Sequence, residues 1–228
     1  VPAIPSCTSI QDMNGTPTWG TFTPNPAWGF NGTTLRYLYD AAKPGNDWFY
    51  IQGVNLQAGK QYELSYKYGS TDPLYPESMK VALGTAAEAS SMTTTLADHP
   101  NIIANAQAPF AKLDRILFTV PANGAYYVGF QVYSQPDQFT LYLDSIVVRE
   151  VPVVDVGITK LNNAPSCPAS NYALNATLHN YNLVPIDFAA TPVTVTATVA
   201  GAATGTLTTT INSGTLAAGG DLAVNLPA

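Results

Sequence analysis

The sequence predicts an all-β chain, with a jelly-roll β-sandwich over residues 1–150 and a smaller Ig-like or fibronectin-like β-sandwich over residues 151–228. Two observations indicate this fold class. Aromatic and β-branched residues alternate with polar residues at a period of two, and turn-forming segments interrupt the alternation at short intervals. A third observation, the composition, fits it: only 11% of the residues are charged, and hydroxyl and amide side chains fill the gap.

The clearest strand of the first domain is "KQYELSYKYGS". Its alternation places Tyr62, Leu64, Tyr66 and Tyr68 on one face and turns Glu63 outward on the other. Further strands are predicted in "ESMKVALGT", "DRILFTVPA", "AYYVGFQVYS" and "FTLYLDSIVVRE", separated by turns such as "PGND", "QAGK", "DPLYP", "PANG" and "QPDQ".

One window competes as a helix, "GTAAEASSMTTTLADH". Its run of Thr and its lack of an apolar stripe favour a short turn or loop between strands instead. Within "GNDWFYIQG", Asp47 is predicted to cap a turn and Trp48 to begin a strand and to bury its ring between the sheets.

The composition changes at "VREVPVVDVGITKLN", which places a domain boundary near Glu150–Pro152. All the Trp residues precede this boundary, and Thr, Ala, Val and Gly dominate after it. The alternating segments that follow predict a seven-strand sandwich that lacks its final strand or strands, so the chain is expected to be part of a longer protein.

The net charge of −6 excludes nucleic acid as a partner, because the chain has too few cations to neutralise phosphates. No apolar run approaches the length of a membrane span. The scarcity of charge is typical of secreted proteins, so a secreted or cell-surface location is expected. Cys7 and Cys167 are compatible with one disulfide or with two independent thiols.

The larger domain resembles the cleaved-adhesin, or choice-of-anchor J, jelly-roll family, and more distantly the MAM-type domains. Four segments carry the resemblance over about residues 4–149: "IPSCTSIQDMNGTPTW", "GNDWFYIQGVNLQAGKQYELSYKY", "PESMKVALGT" and "AYYVGFQVYS" with "FTLYLDSIVV". The sequence departs from the family at Asn46-Asp47, where two acidic residues are usual. The second domain resembles the Ig-like modules that follow such domains.

The resemblance implies a secreted or surface-anchored bacterial protein, often exported by the type IX route. Such domains lie beside proteases, glycoside hydrolases or gliding adhesins, and their known examples are non-catalytic. It therefore implies an adhesive or accessory function, with an extracellular glycan or protein as ligand and neighbouring domains of the parent protein as partners.

No catalytic residues are assigned from the sequence, which contains no nucleophile elbow, zinc-binding helix or phosphate loop. His99 is the one histidine of the larger domain and is interpreted as a solvated loop residue. Asp72 and Glu77, with Tyr75 between them, form the only acidic cluster that could support glycoside hydrolysis.

A structural calcium ion is the predicted cofactor, since loop carboxylate and amide oxygens are the ligands it prefers. The predicted ligands are Asp12, Asn14, Asp47 and Asp144. Pairing of the first and last strands would bring Asp12 close to Asp144. In the related family the residue at Asp144 is a calcium ligand in several members, and the alternative is an Asp that caps a bulge.

Three aromatic residues on loops or strand ends are the predicted ligand contacts: Trp28, Tyr75 and Tyr133. Packing beneath their own loops is the alternative for each. The leading hypothesis is thus a non-catalytic adhesion or binding module pair. Accessory domains of an exported hydrolase, a purely structural spacer and a catalytic jelly-roll are the rivals.

Overall fold

A computed structural model of the chain describes residues 4–15, 19–30, 32–104, 110–152, 154–162, 173–200 and 204–227. The chain divides into two compact units, Val1–Glu150 and Val151–Ala228. Cys167 lies outside the described residues, so the structure does not describe whether it pairs with Cys7. None of the described residues forms a helix that is long and apolar enough to cross a membrane.

The larger unit is built from eleven strands and two short 3-10 helices among its described residues. The helices are Pro26–Trp28 and Ala89–Ser91. The strands are β1 (Ser9–Asp12), β2 (Gly20–Phe22), β3 (Thr34–Leu38), β4 (Asp47–Tyr50), β5 (Val54–Leu56), β6 (Gln61–Gly69), β7 (Glu77–Gly84), β8 (Thr94–Ile102), β9 (Lys112–Phe118), β10 (Gly124–Val132) and β11 (Thr140–Val151).

These strands form two sheets that enclose one core. The first sheet has the order β1-β4-β10-β7-β8, with β5 also pairing with β10, and the second has the order β2-β3-β11-β6-β9. The core holds the inward residues of both sheets, among them Tyr62, Leu64 and Tyr66, on the face that the alternation predicts. The predicted all-β fold class is confirmed.

Trp48 is buried, but the prediction that its ring lies between the two sheets is wrong. Phe49 belongs to the inter-sheet core, so its neighbours Trp48 and Tyr50 point to the opposite face of the first sheet. Their rings stack there at 5.8 Å and 4°, against Ala89 and Met92 of the segment between β7 and β8. Alternation fixes which residues share a face, and this crossing segment supplies the cover for the outer one.

One further expectation is corrected in the same unit. The Thr-rich window predicted as a turn or loop contains a 3-10 turn and then most of strand β8, which pairs with β7. Glu63 points away from the core, as the alternation predicts, but it is only 4% exposed, because Arg149 covers it and the Arg149 Nε donates to Glu63 Oε1 over 3.0 Å. The outer face of the second sheet is therefore partly buried.

The smaller unit has seven described strands around its own core. A three-stranded sheet has the order β12-β13-β18, and β14 pairs with β17 and β15 with β16. Leu174, Leu178, Phe188 and Leu226 are among the core residues. The strands are β12 (Val156–Leu161), β13 (Leu174–Asn180), β14 (Ile186–Asp187), β15 (Val193–Val199), β16 (Gly205–Ile211), β17 (Thr215–Leu216) and β18 (Asp221–Leu226).

Candidate functional site

Two of the predicted metal ligands, Asp12 and Asp47, face each other across neighbouring strands. Asp12 is the last residue of β1, Asp47 is the first residue of β4, and the two are partners in the β1·β4 register. Asp47 is completely buried, whereas Asp12 is exposed. No hydrogen bond of normal geometry reaches either carboxylate oxygen of Asp47. A buried carboxylate in this situation requires a proton or a cation.

The electrostatics of Asp47 agree with its burial. Desolvation is the largest cause, and the nearby charge of Asp12 the next, of a rise in the pKa of Asp47 to about 7. The Met13 N–H and the Tyr37 hydroxyl lower the pKa but do not offset the rise. The carboxylate thus stays charged at neutral pH only at a cost that a bound cation would remove.

Main-chain groups hold the turn after β1 against the loop before β4. Asp12 Oδ1 accepts from the N–H groups of Asn14 and Gly15, at 3.0 and 2.7 Å, and Asn14 Nδ2 donates to Pro44 O over 2.6 Å. No group of three or more His, Cys, Asp or Glu side chains that could hold a metal occurs in the described ranges. Two carboxylates with main-chain carbonyl and water oxygens nevertheless fit the oxygen-only preference of calcium.

Asp144 does not join this pair, and the predicted pairing of first and last strands is wrong. Strand β1 pairs with β4 in the first sheet, whereas β11 lies in the second sheet next to β3. Asp144 Oδ1 accepts from Ser145 N over 2.6 Å, and Ser145 has a φ of +52°, which is rare for a residue with a side chain. This geometry matches the alternative of an acid that caps a strand irregularity.

The three predicted ligand aromatics differ in their accessibility. Trp28 is half-buried and packs on the outer face of the second sheet, with its ring 5.7 Å from that of Tyr142. The Tyr133 hydroxyl donates to Asp98, and the Tyr133 ring has its centre 5.7 Å from Lys80 Nζ. Tyr75 is 46% exposed. Of the three, Tyr75 is the one with a large open surface.

Two aromatic residues that the sequence reasoning missed lie at the same end of the sandwich as Tyr75. Tyr39 and Phe139 are 39% and 38% exposed, and Tyr39 N donates to Phe139 O over 3.3 Å. The register places the end of β3, the start of β11 and the start of β7 at this end. We call Tyr39, Tyr75 and Phe139 the aromatic rim. Tyr75 lies within the turn signal "DPLYP" and Phe139 follows the turn signal "QPDQ", which was the available clue for these two.

The acids once considered for hydrolysis hold the rim in place. Asp72 Oδ1 accepts from Leu74 N and Tyr75 N, at 2.8 and 3.1 Å. Glu77 is 0% exposed, accepts from Phe139 N over 2.9 Å and accepts a short hydrogen bond from the Ser134 hydroxyl. Burial raises the pKa of Glu77 although both of these donors lower it. A fully covered carboxyl cannot contact a substrate, so its geometry supports loop positioning.

His99 lies in strand β8 rather than in a solvated loop, so that interpretation is corrected. The Tyr66 hydroxyl donates to Asp114 Oδ2 over 3.1 Å, which leaves His99 Nε2–H to donate to the Tyr66 oxygen over 2.7 Å. The Tyr68 ring stacks on the imidazole at 4.2 Å. Burial lowers the pKa of His99 and raises that of Tyr66. Through His99 and Asp114 the cluster joins β8 and β9, which are edge strands of the two sheets. The raised pKa makes the Tyr66 hydroxyl a poor nucleophile.

No family model matches the chain, and no curated protein matches it. Solved structures do match its larger part. A cleaved adhesin domain of Lys-gingipain from Porphyromonas gingivalis superposes with a TM-score of 0.54 and 16% identity, over 65% of this chain and 94% of that domain. A second cleaved adhesin domain of that protein gives 0.48 and 14%, over 64% and 93%.

A xylan-binding domain from Paenibacillus barcinonensis gives a TM-score of 0.36 and 9% identity, over 62% of this chain and 85% of that domain. At these identities the likeness is one of fold. The larger part of this chain has the β-sandwich fold of a cleaved adhesin domain.

Proposed function

We propose that this chain is a non-catalytic binding module of a longer extracellular protein and that it holds a glycan on the aromatic rim. The single observation that carries the proposal is the grouping of Tyr39, Tyr75 and Phe139 at one end of a rigid sandwich, each more than a third exposed. Sugar rings present flat apolar faces, and exposed aromatic rings on fixed loops are suited to pack against them.

The rim is preorganised, which favours binding because little loop freedom is lost. Asp72 and Glu77 fix two of its loops, as described above. A third loop is fixed by Asp40, which accepts from Ala42 N and Lys43 N at 2.7 and 2.9 Å. These two hydrogen bonds are the main reason that the pKa of Asp40 is lowered. The fold likeness to an adhesin domain supports the same general role and a location outside the cell.

Binding of the whole chain to a glycan array tests the proposal. Tyr75→Ala should weaken the strongest hits by about tenfold, because truncating a central aromatic contact typically costs more than about 1 kcal/mol. Tyr181→Ala is the matched control, since Tyr181 is a 55% exposed tyrosine of the smaller unit. Equal loss in the control would contradict the assignment of the rim.

The rival functions have their own outcomes. A silent glycan array together with rim-dependent binding to extracellular matrix proteins would replace the glycan with a protein ligand. Silence in both assays with a folded chain would leave the spacer function. Accessory domains of an exported hydrolase would become the favoured context if the parent protein carries an enzyme domain beside this segment.

We also propose that a calcium ion binds between Asp12 and Asp47 and stabilises the larger unit. The proposal depends on the buried carboxylate of Asp47, which no hydrogen bond of normal geometry reaches, and on the exposed carboxylate of Asp12 opposite it. Calcium would be structural here, since it would join the turn after β1 to the loop before β4.

A further inference from the structure

The larger unit has a cavity of about 240 Å³ away from the aromatic rim. Strand β3 ends beside the rim and begins beside this cavity, so the two lie toward opposite ends of the sandwich. Six of the cavity's ten described lining residues are apolar, and Phe49 is the one aromatic residue among them. The apolar lining residues are Pro5, Leu35, Phe49, Ile51, Leu143 and Ile146.

Asp144 supplies the charge of this cavity. Among the described lining residues it is the one with a formal charge, and the other polar ones, Thr8, Thr33 and Ser145, carry hydroxyl groups. The carboxylate is half-buried and is held by Ser145 N at 2.6 Å and by Thr34 Oγ1 at 3.4 Å. The positive φ of Ser145 is a strained conformation in the middle of a long strand, of the kind that is retained at binding sites.

The size and lining of the cavity restrict what it can hold. It is smaller than the roughly 300–1,000 Å³ of common small-molecule sites, so it accommodates about one long side chain. A sugar ring does not fit this chemistry, because Phe49 is 1% exposed and offers no free ring face. An aliphatic stem with a positive end does, since the stem covers the apolar wall while the charge meets the carboxylate.

We propose that this cavity binds the side chain of a lysine presented by a protein partner. The ammonium group pairs with the Asp144 carboxylate, and the four methylene groups lie along Ile51, Leu143 and Ile146. An ammonium is a compact donor of three hydrogen bonds, so it can also contact the neighbouring hydroxyl groups. This site does not depend on the glycan proposal, and either can fail without the other.

The test is a titration of the isotope-labelled whole chain with Nα-acetyl-lysine methylamide, followed by NMR, in buffer that contains calcium. The expected Kd is about 1–10 mM, the range for one side chain held by few contacts. Shifts should concentrate on the amides of Thr8, Thr33, Ile51 and Ile146. The norleucine analogue, which keeps the stem without the charge, should bind at least about tenfold more weakly, because charge-assisted contacts have that worth.

Two variants make the assignment specific. Asp144→Asn should weaken lysine binding by about tenfold or more, and Asp137→Asn, which removes an exposed carboxylate elsewhere, should leave it unchanged. Thr33→Trp should block the mouth while the charge remains, and Thr33 is exposed, so folding should tolerate it.

Three results would overturn the proposal. These are equal binding of the norleucine analogue, unchanged binding by Thr33→Trp, and shifts that are absent or lie at other residues. If Asp144→Asn does not fold, the comparison of the two ligands and Thr33→Trp still decides the question.

Discussion

The calcium proposal leads to a prediction about pH that has an unusual sign. In chelator, burial raises the pKa of Asp47 in the folded chain to about 7, whereas the ordinary pKa of an aspartate is 3.8. The folded state therefore binds more protons than the unfolded state between about pH 4 and pH 7, and stability must fall as pH rises through this window. The loss of folding free energy caused by the ionisation of Asp47 is absent below pH 4 and complete above pH 7. A difference of about three pKa units corresponds to about 4 kcal/mol.

The perturbation is Asp47→Asn, which keeps the shape of the side chain and removes its charge. In chelator at pH 7.5 the variant should be more stable than the natural chain by up to about 4 kcal/mol, or by about 10 °C in Tm. At pH 4 the two should be nearly equal. Calcium should raise the free energy of unfolding of the natural chain at pH 7.5 by about 2.7 kcal/mol at a hundredfold excess over Kd, with a corresponding rise in Tm, and should not change the variant.

Tryptophan fluorescence is a suitable assay because all three tryptophans lie in the larger unit. The transition then reports that unit alone, and the smaller unit does not complicate a two-state fit. Asp137→Asn is the control, since it also removes one negative charge but from an exposed side chain. Burial also raises the pKa of Glu77 and lowers that of His99, and both groups are present in the natural chain and in the variant, so the difference between the two isolates Asp47.

The reasoning is refuted if the natural chain in chelator becomes more stable between pH 5 and pH 7.5 relative to Asp47→Asn. If calcium still stabilises Asp47→Asn, the ion binds elsewhere and Asp47 is not its ligand. Calorimetric titration of the natural chain with calcium gives the affinity directly.

Three further changes probe packing and loop positioning. Gly129→Ala should cost about 1–3 kcal/mol in urea unfolding, because its Cβ would lie 2.9 Å from atoms of Trp48 and Tyr50, and a cost near zero would contradict the ring stack. Glu77→Ala should cost about 2–3 kcal/mol and also weaken glycan binding, and unchanged binding would separate it from the rim. Asn180→Ala should lower the opening free energy of β13, measured by hydrogen exchange, by about 3 kcal/mol, because the buried Asn180 Nδ2 donates to three main-chain carbonyls. Unchanged protection of the β13 amides would contradict this stabilising role.

Local alternation predicted the strands well, because a half-buried strand must alternate to bury one face. It did not predict what covers the other face. Glu63 is buried although it points away from the core, since Arg149 of the neighbouring strand lies over it. Trp48 is buried on the outer side for a similar reason, since the segment with Ala89 and Met92 crosses there. Such cover comes from residues distant in sequence and leaves no local pattern.

The candidate site was predicted in part for the same reason. Asp12 and Asp47 were both identified as oxygen ligands, but the partner of Asp12 depends on which strand lies beside β1. That strand is β4, so Asp47 is opposite Asp12 and Asp144 is in the other sheet. A choice among non-neighbouring strands is a property of topology, and residue spacing does not determine it.

The aromatic content of the chain predicts that some rings lie outside the inter-sheet core, but it does not predict which of them are exposed. A chain with 11% aromatic residues holds more rings than the inter-sheet core contains, so the surplus must be covered elsewhere or exposed. The segment with Ala89 and Met92 covers Trp48 on the outer face of the first sheet, and Trp28 packs half-buried against Tyr142 on the outer face of the second, so neither ring is fully open to solvent. Tyr39, Tyr75 and Phe139 lie on short loops whose own carboxylates fix the main chain beneath them. Exposed rings on loops that are already fixed lose little conformational entropy when a ligand binds. The aromatic rim, rather than either tryptophan, is therefore the surface to test first.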